Sequence, residues 1–215
     1  MNTEALVKLR GYWESLRRGR AAPYRAELDP RKFEDVLENM FILEQLNQNQ
    51  TRVRLAGMAL CEMMGMEVRG MPPEAFIAAD DRLAFEQHVQ TVLTGPAVIE
   101  FDLVATGISG SAIRGQMLML PLRSDFGEVT RILGCVLTER MAVRTPVAFT
   151  IVSQRTSMIR PSASDGTNGG LPGFAEPAAG FNGPRSAPEL RTVVSNSDPV
   201  ATGRRTGHLK IVPDE

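Results

Sequence analysis

The sequence predicts an α+β domain built on a five-stranded antiparallel sheet with a small helical cluster, and two observations carry that class. Apolar residues alternate at "MFILEQL" (40–46) and "TRVRLAG" (51–57), and again in three segments between Ala97 and Arg140, the period of half-buried strands. Between these two groups the spacing turns helical, in short pieces and one longer one, with none of the strand-helix-strand alternation that a parallel sheet requires.

The N-terminal segment reads as two helices. Leu6, Leu9, Trp13 and Leu16 fall on one stripe of a helix starting near Thr3, and Gly19 ends it. Asp29 then stands as an N-cap before Pro30, with Phe33, Val36, Leu37 and Met40 as the apolar face of a second short helix. In the hairpin that follows, "NQNQ" makes the turn, Val53 and Leu55 face inward, and Arg52 and Arg54 face outward. "MALCEMMG" is a short helix closed by Gly65, and "DDRLAFEQHVQTVLTG" is the longer one, capped by Asp80 or Asp81, with Phe85, Val89, Val92 and Leu93 on its buried stripe. "AVIEFDLVAT", "SAIRGQMLMLPL" and "RILGCVLTER" complete the sheet as a meander.

From about Gln154 the composition shifts to Gly, Pro, Ser and Asn without a period, so 154–215 is expected to be a disordered tail. "HLKIV" (208–212) is too short to assign. The organisation is therefore a helical extension over 1–38, a sheet domain over 39–145, and the tail. A formal net charge of −1 over 215 residues gives no global basic field for nucleic acid, so no nucleic-acid partner is expected. No apolar run is long enough for an integral membrane segment, and no signal peptide is recognisable. The two cysteines, Cys61 and Cys135, sit in apolar sequence and read as packed thiols of a reducing compartment, which places the chain in the cytoplasm.

The combination of "YWESLRRGRAAPYR", "YRAELDP" and "FILEQL....TRVRLAGMALCEMMGMEVRG" resembles the PAS domain, in particular the short stand-alone bacterial PAS proteins with an N-terminal Y-W-x-x-L-R-x-x-R motif followed by P-x-R and a D-P helix start. The resemblance covers residues 6 to 140. It implies a five-stranded sheet cupping small helices around an apolar pocket, used for sensing or protein contact, and it implies no catalytic activity.

Within that frame Met64, His88, Val92, Met117 and Met119 are the ligand-pocket candidates, for a small apolar ligand, because flexible thioethers adapt to irregular ligands as readily as they fill a core. Met58, Met63 and Met66 are placed around the same pocket. His88 lies on the long helix from which haem-binding PAS domains project an axial ligand, so it is the one haem-ligand candidate. The flavin-adduct motif of light-sensing relatives is absent at Cys61, and no cofactor is obligatory. An enzyme using Asp80 and His88 as an acid-base set is the alternative to helix capping by the aspartates. Leu9, Trp13 and Leu16, rimmed by Arg17, Arg18 and Arg20, are the candidates for an interface with a signalling partner or a second subunit, or for burial of the helix on the open face of the sheet. The function expected is a non-catalytic regulatory protein acting through protein contacts.

Overall fold

The computed structural model describes residues 3–48, 50–139 and 143–161. Helix α1, Thr3–Arg17, stops where Arg18 and Gly19 both take positive φ, 49° and 83°. The second helix expected after Asp29 is instead a pair of 3-10 turns, Pro30–Lys32 and Glu34–Asn39. Asp29 does cap, its Oδ1 accepting the Arg31 backbone N–H at 3.2 Å, but only ten residues separate it from the first strand, too few to offset the cost of nucleating an α-helix. Leu37 is left 42% exposed, and Met40 opens the strand rather than closing a helix.

Strands β1 (Met40–Asn47) and β2 (Gln50–Ala56) form the hairpin. Their register shifts between Ile42, which pairs with Leu55, and Leu43, which pairs with Val53. Arg54 is the extra residue of this bulge, and the slip turns Leu55 to the outer face, where it is 48% exposed, while Val53 stays buried. The inward placement of Leu55 is thus corrected. Helix α2, Met58–Met64, ends on Gly65 at φ 71°, where its N–H and that of Met66 reach back to the Cys61 and Glu62 carbonyls. Helix α3 spans Arg82–Thr94, and β3 (Ala97–Thr106), β4 (Ala112–Arg123) and β5 (Val129–Thr138) form the meander.

A sixth strand, β6 (Thr150–Met158), pairs antiparallel with β3. The sheet order is β2-β1-β5-β4-β3-β6, so the antiparallel α+β class holds with six strands instead of five. Residues 154–158, expected in the tail, are strand. The sequence hides this because "TIVSQRTSM" is an edge strand, exposed along most of its length, and so carries no clean alternation. The rest of the expected tail, from 162 onward, lies outside the described residues.

The sheet separates two apolar layers. On its inner face α2 and α3 pack over Leu43, Phe101, Met117, Met119, Ile132 and Val136. On its outer face α1 and the turns after it pack over Met40, Ile42, Leu118, Leu120, Leu133 and Cys135. Gly134 lets the layers close: a Cβ there would run into the Phe41 ring.

Candidate functional site

The helices and the inner sheet face enclose the place where the sequence puts a ligand pocket. Met64, Val92, Met117 and Met119 do converge there, each at most 5% exposed and all within one packed cluster with Phe85, Phe101 and Phe149. Met63 joins them. Met58 and Met66 do not: both are more than half exposed, because they flank α2 at its solvent ends. His88 sits half-buried at the margin of this layer, its ring edge-on to Phe101 at 5.4 Å between centroids. Desolvation holds its imidazole below the usual pKa, favouring the neutral ring.

The acid-base set does not assemble. Asp80 is exposed in a 3-10 turn ahead of α3, while His88 lies six residues into the helix, ~9 Å along its axis at ~1.5 Å per residue. Asp81 is occupied structurally, its Oδ2 accepting the Ile151 N–H at 2.9 Å and so tying α3 to β6. Cys135 is buried and its thiol is pushed up to about 12 by desolvation, whereas Cys61 is half-buried with its Sγ 4.0 Å from Glu67. Among the described residues no group of three or more His, Cys, Asp and Glu side chains could hold a metal ion, and no helix is long and apolar enough to cross a membrane.

The N-terminal motif folds onto its own chain. Leu9 and Trp13 are buried under α1 on the outer sheet face, and the Trp13 indole donates to the Pro121 carbonyl at 2.9 Å. Leu16 is half-buried. Arg17 pairs with Glu14 at 2.6 Å and donates to the Arg20 carbonyl. Arg20 clasps both oxygens of Glu27 at 2.8 Å and lies over the Tyr24 ring. The Tyr12 hydroxyl accepts the Asp29 N–H at 2.8 Å. Of the basic rim only Arg18 faces solvent. Leu9 and Trp13 are therefore not available to a partner while α1 is docked, because the chain's own sheet covers them.

Two further surfaces escaped the sequence. A cleft of about 480 Å³ opens on the outer face beside α1, with Leu6 and Val7 on one side and Glu100, Asp102, Gln116, Ser153 and Arg155 among its other walls. Glu100 bridges Arg10 at 2.6 Å and Arg155 at 3.3 Å, while the Ser153 hydroxyl and then the Gln116 amide hold Asp102 below the usual carboxylate pKa. Ser153 and Arg155, which hold Asp102 and Glu100 from β6, were invisible without that strand. A second cleft, of about 240 Å³, is lined by Arg25, Arg54, Arg69, Arg131, Asp125, Ile42 and Leu55. These residues come from five separate stretches of chain, and no spacing in the sequence joins them.

The sequence model of the PAS domain family matches residues 1–137. The chain belongs to the PAS domain family. The match takes in α1 and β1 to β4 with nearly all of β5, and in this PAS chain it ends before β6. No curated protein matches the chain. Solved structures similar to this PAS chain include a light-oxygen-voltage domain studied with a flavin analogue, 18% identical over 51% of this chain and 83% of that one with a TM-score of 0.40. They also include the LOV protein of Rhodobacter sphaeroides, 14% identical over 52% and 69% with a TM-score of 0.38, and VqmA bound to DPO, 16% identical over 46% and 51% with a TM-score of 0.34.

Proposed function

We propose that this PAS chain is a non-catalytic cytoplasmic regulatory protein that acts by binding a signalling partner at its surface, without an obligatory cofactor. The observation that carries the reading is the packed interior: Met64, Val92, Met117 and Met119 fill the space between α3 and the sheet, and of these and His88 only Met117 lines either of the two clefts described, the one beside α1. A haem or flavin held there would have to displace several fully buried side chains, each of which contributes roughly 1.5–3 kcal/mol by its burial. The Y-W-x-x-L-R-x-x-R residues support membership of the short stand-alone group, with a structural role for the motif: Tyr12, Trp13, Arg17 and Arg20 fasten the extension to itself and to the sheet. Partner contact then falls to outward-facing side chains. Native mass spectrometry of the protein purified from its host tests the reading. The mass of the polypeptide alone is expected, and a stoichiometric small molecule that survives gentle desalting would replace the surface binder with a ligand sensor.

A further inference from the structure

The cleft on the β2-β1-β5 end of the sheet holds more positive charge than its own carboxylates balance. Four arginines, Arg25, Arg54, Arg69 and Arg131, line it, and Asp125 is the one acidic residue in the lining, on a chain whose formal net charge is −1. Next to it the Glu44 carboxylate is shared among Arg131 at 3.2 Å, Arg52 at 3.0 Å and Arg54 at 3.9 Å, so a single negative charge is spread over three cations. No ion pair joins the Arg25 or Arg69 guanidinium to a carboxylate among the described residues: Glu67 Oε1 accepts the Arg69 backbone N–H at 3.1 Å, while the Arg69 side chain donates to the Arg54 carbonyl at 3.3 Å. Like charges gathered this closely repel, and an arriving carboxylate relieves that repulsion while gaining forked hydrogen bonds.

The floor is apolar. Ile42 and Leu55 pair across β1 and β2, and the bulge leaves Leu55 48% exposed between the arginines. A volume of about 240 Å³ lies below the ~300–1,000 Å³ of small-molecule sites and suits one inserted side chain. We propose that this cleft is a docking site for an acidic segment of a partner protein, which sets its carboxylates against Arg25, Arg54, Arg69 and Arg131 and lays one aliphatic side chain on Leu55 and Ile42. The proposal rests on the reading of the chain as a surface binder and gives that partner its chemistry. The four arginines are gathered at one cleft of about 240 Å³, whereas duplex DNA calls for a stripe of basic residues that follows a phosphate backbone.

The test uses the full chain and a short fluorescein-labelled Glu/Asp peptide carrying one central leucine, followed by fluorescence anisotropy. Comparison ligands are the Gln/Asn version of the peptide, a duplex DNA oligonucleotide, and vesicles of phosphatidylglycerol and phosphatidylcholine. The acidic peptide is expected to bind, to weaken as salt rises, and to lose about tenfold or more in affinity in the R25E/R69E variant. Both positions are exposed and outside the core, and R25Q/R69Q with an unchanged circular dichroism spectrum separates lost attraction from lost folding. Equal binding by the neutral peptide, or unchanged affinity in both variants, overturns the site. Tighter, variant-sensitive binding of DNA or vesicles overturns the protein partner as its occupant. Absence of any peptide binding removes the docking site but leaves the packed-interior reading to native mass spectrometry, so the two failures are distinguishable.

Discussion

Trp13 has no measurable exposure and spends its one polar atom on the Pro121 carbonyl. Trp13→Ala would therefore leave a cavity and an unpaired carbonyl together, and a loss of about 3–5 kcal/mol in urea melts is expected; a loss under about 1 kcal/mol would mean α1 is held by something else. At Gly134 the argument is close approach: Gly134→Ala drives a methyl into Phe41, and a cost of about 1–3 kcal/mol is expected from the forced shift. His88 gives a pH signature. Its folded pKa lies below the ordinary 6.5 because burial disfavours the cation, so as pH falls through about 6.5 the unfolded chain takes up a proton that the folded chain resists. Stability is thus unaffected above that point and declines below it until the lowered folded pKa is reached. His88→Asn should show a smaller decline than the parent between about pH 7.5 and pH 5, and parallel curves would deny the burial effect. The sequence revealed the burial of Trp13 as one of two options and could not choose between them, since an apolar stripe looks the same whether it meets its own sheet or another chain. Leu55 shows the opposite failure: alternation predicted the wrong face because a bulge leaves no mark in a string of alternating residues.

At the level of elements, β1 to β5 were legible, the edge strand β2 among them, and β6 was not. β3, β4 and β5 bury one or both faces and so carry long apolar runs, and β2 still buries Val53, whereas β6 buries no side chain fully and needs only β propensity. Its task is nonetheless specific: it covers the outer edge of β3, and Asp81 secures its start. A chain ended after Phe149 would expose that edge with Ile99, Phe101 and Leu103 beside it, and self-association is expected by light scattering when it is compared with a chain ended after Pro161. Equal monodispersity of the two would show that β3 does not need the cover. The 3-10 turns after Asp29 make a related point about length. The cap signal was read correctly, but capping sets where a helix starts and not whether enough residues follow to sustain one.

Among the described residues one sheet serves two cores. Along β4, Leu118, Leu120 and Leu122 belong to the outer layer while Met117 and Met119 belong to the inner one, and β5 divides Leu133 and Cys135 from Ile132 and Val136 in the same way. The strand pattern was read as half-buried, with a second buried face only as one option for the N-terminal helix, and the arginine cleft was not legible at all, because Arg25, Arg54, Arg69 and Arg131 meet only after the sheet has formed. The shared strands also bear on how a partner could act. If α1 lifted away alone, the outer leucines would be exposed to water and the Arg10–Glu100 ion pair and Trp13–Pro121 hydrogen bond would be lost together, a combination that favours loss of the whole fold over partial release. Trp13 is the one tryptophan, so its fluorescence reports α1 while far-ultraviolet circular dichroism reports the sheet. The two thermal transitions are expected to coincide. A fluorescence transition about 4 °C or more below the dichroism transition, at or above the roughly 2–4 °C shift produced by 1 kcal/mol in a domain of this size, would show that α1 leaves first and would make the helix, rather than the outward surface, the moving part of the regulator.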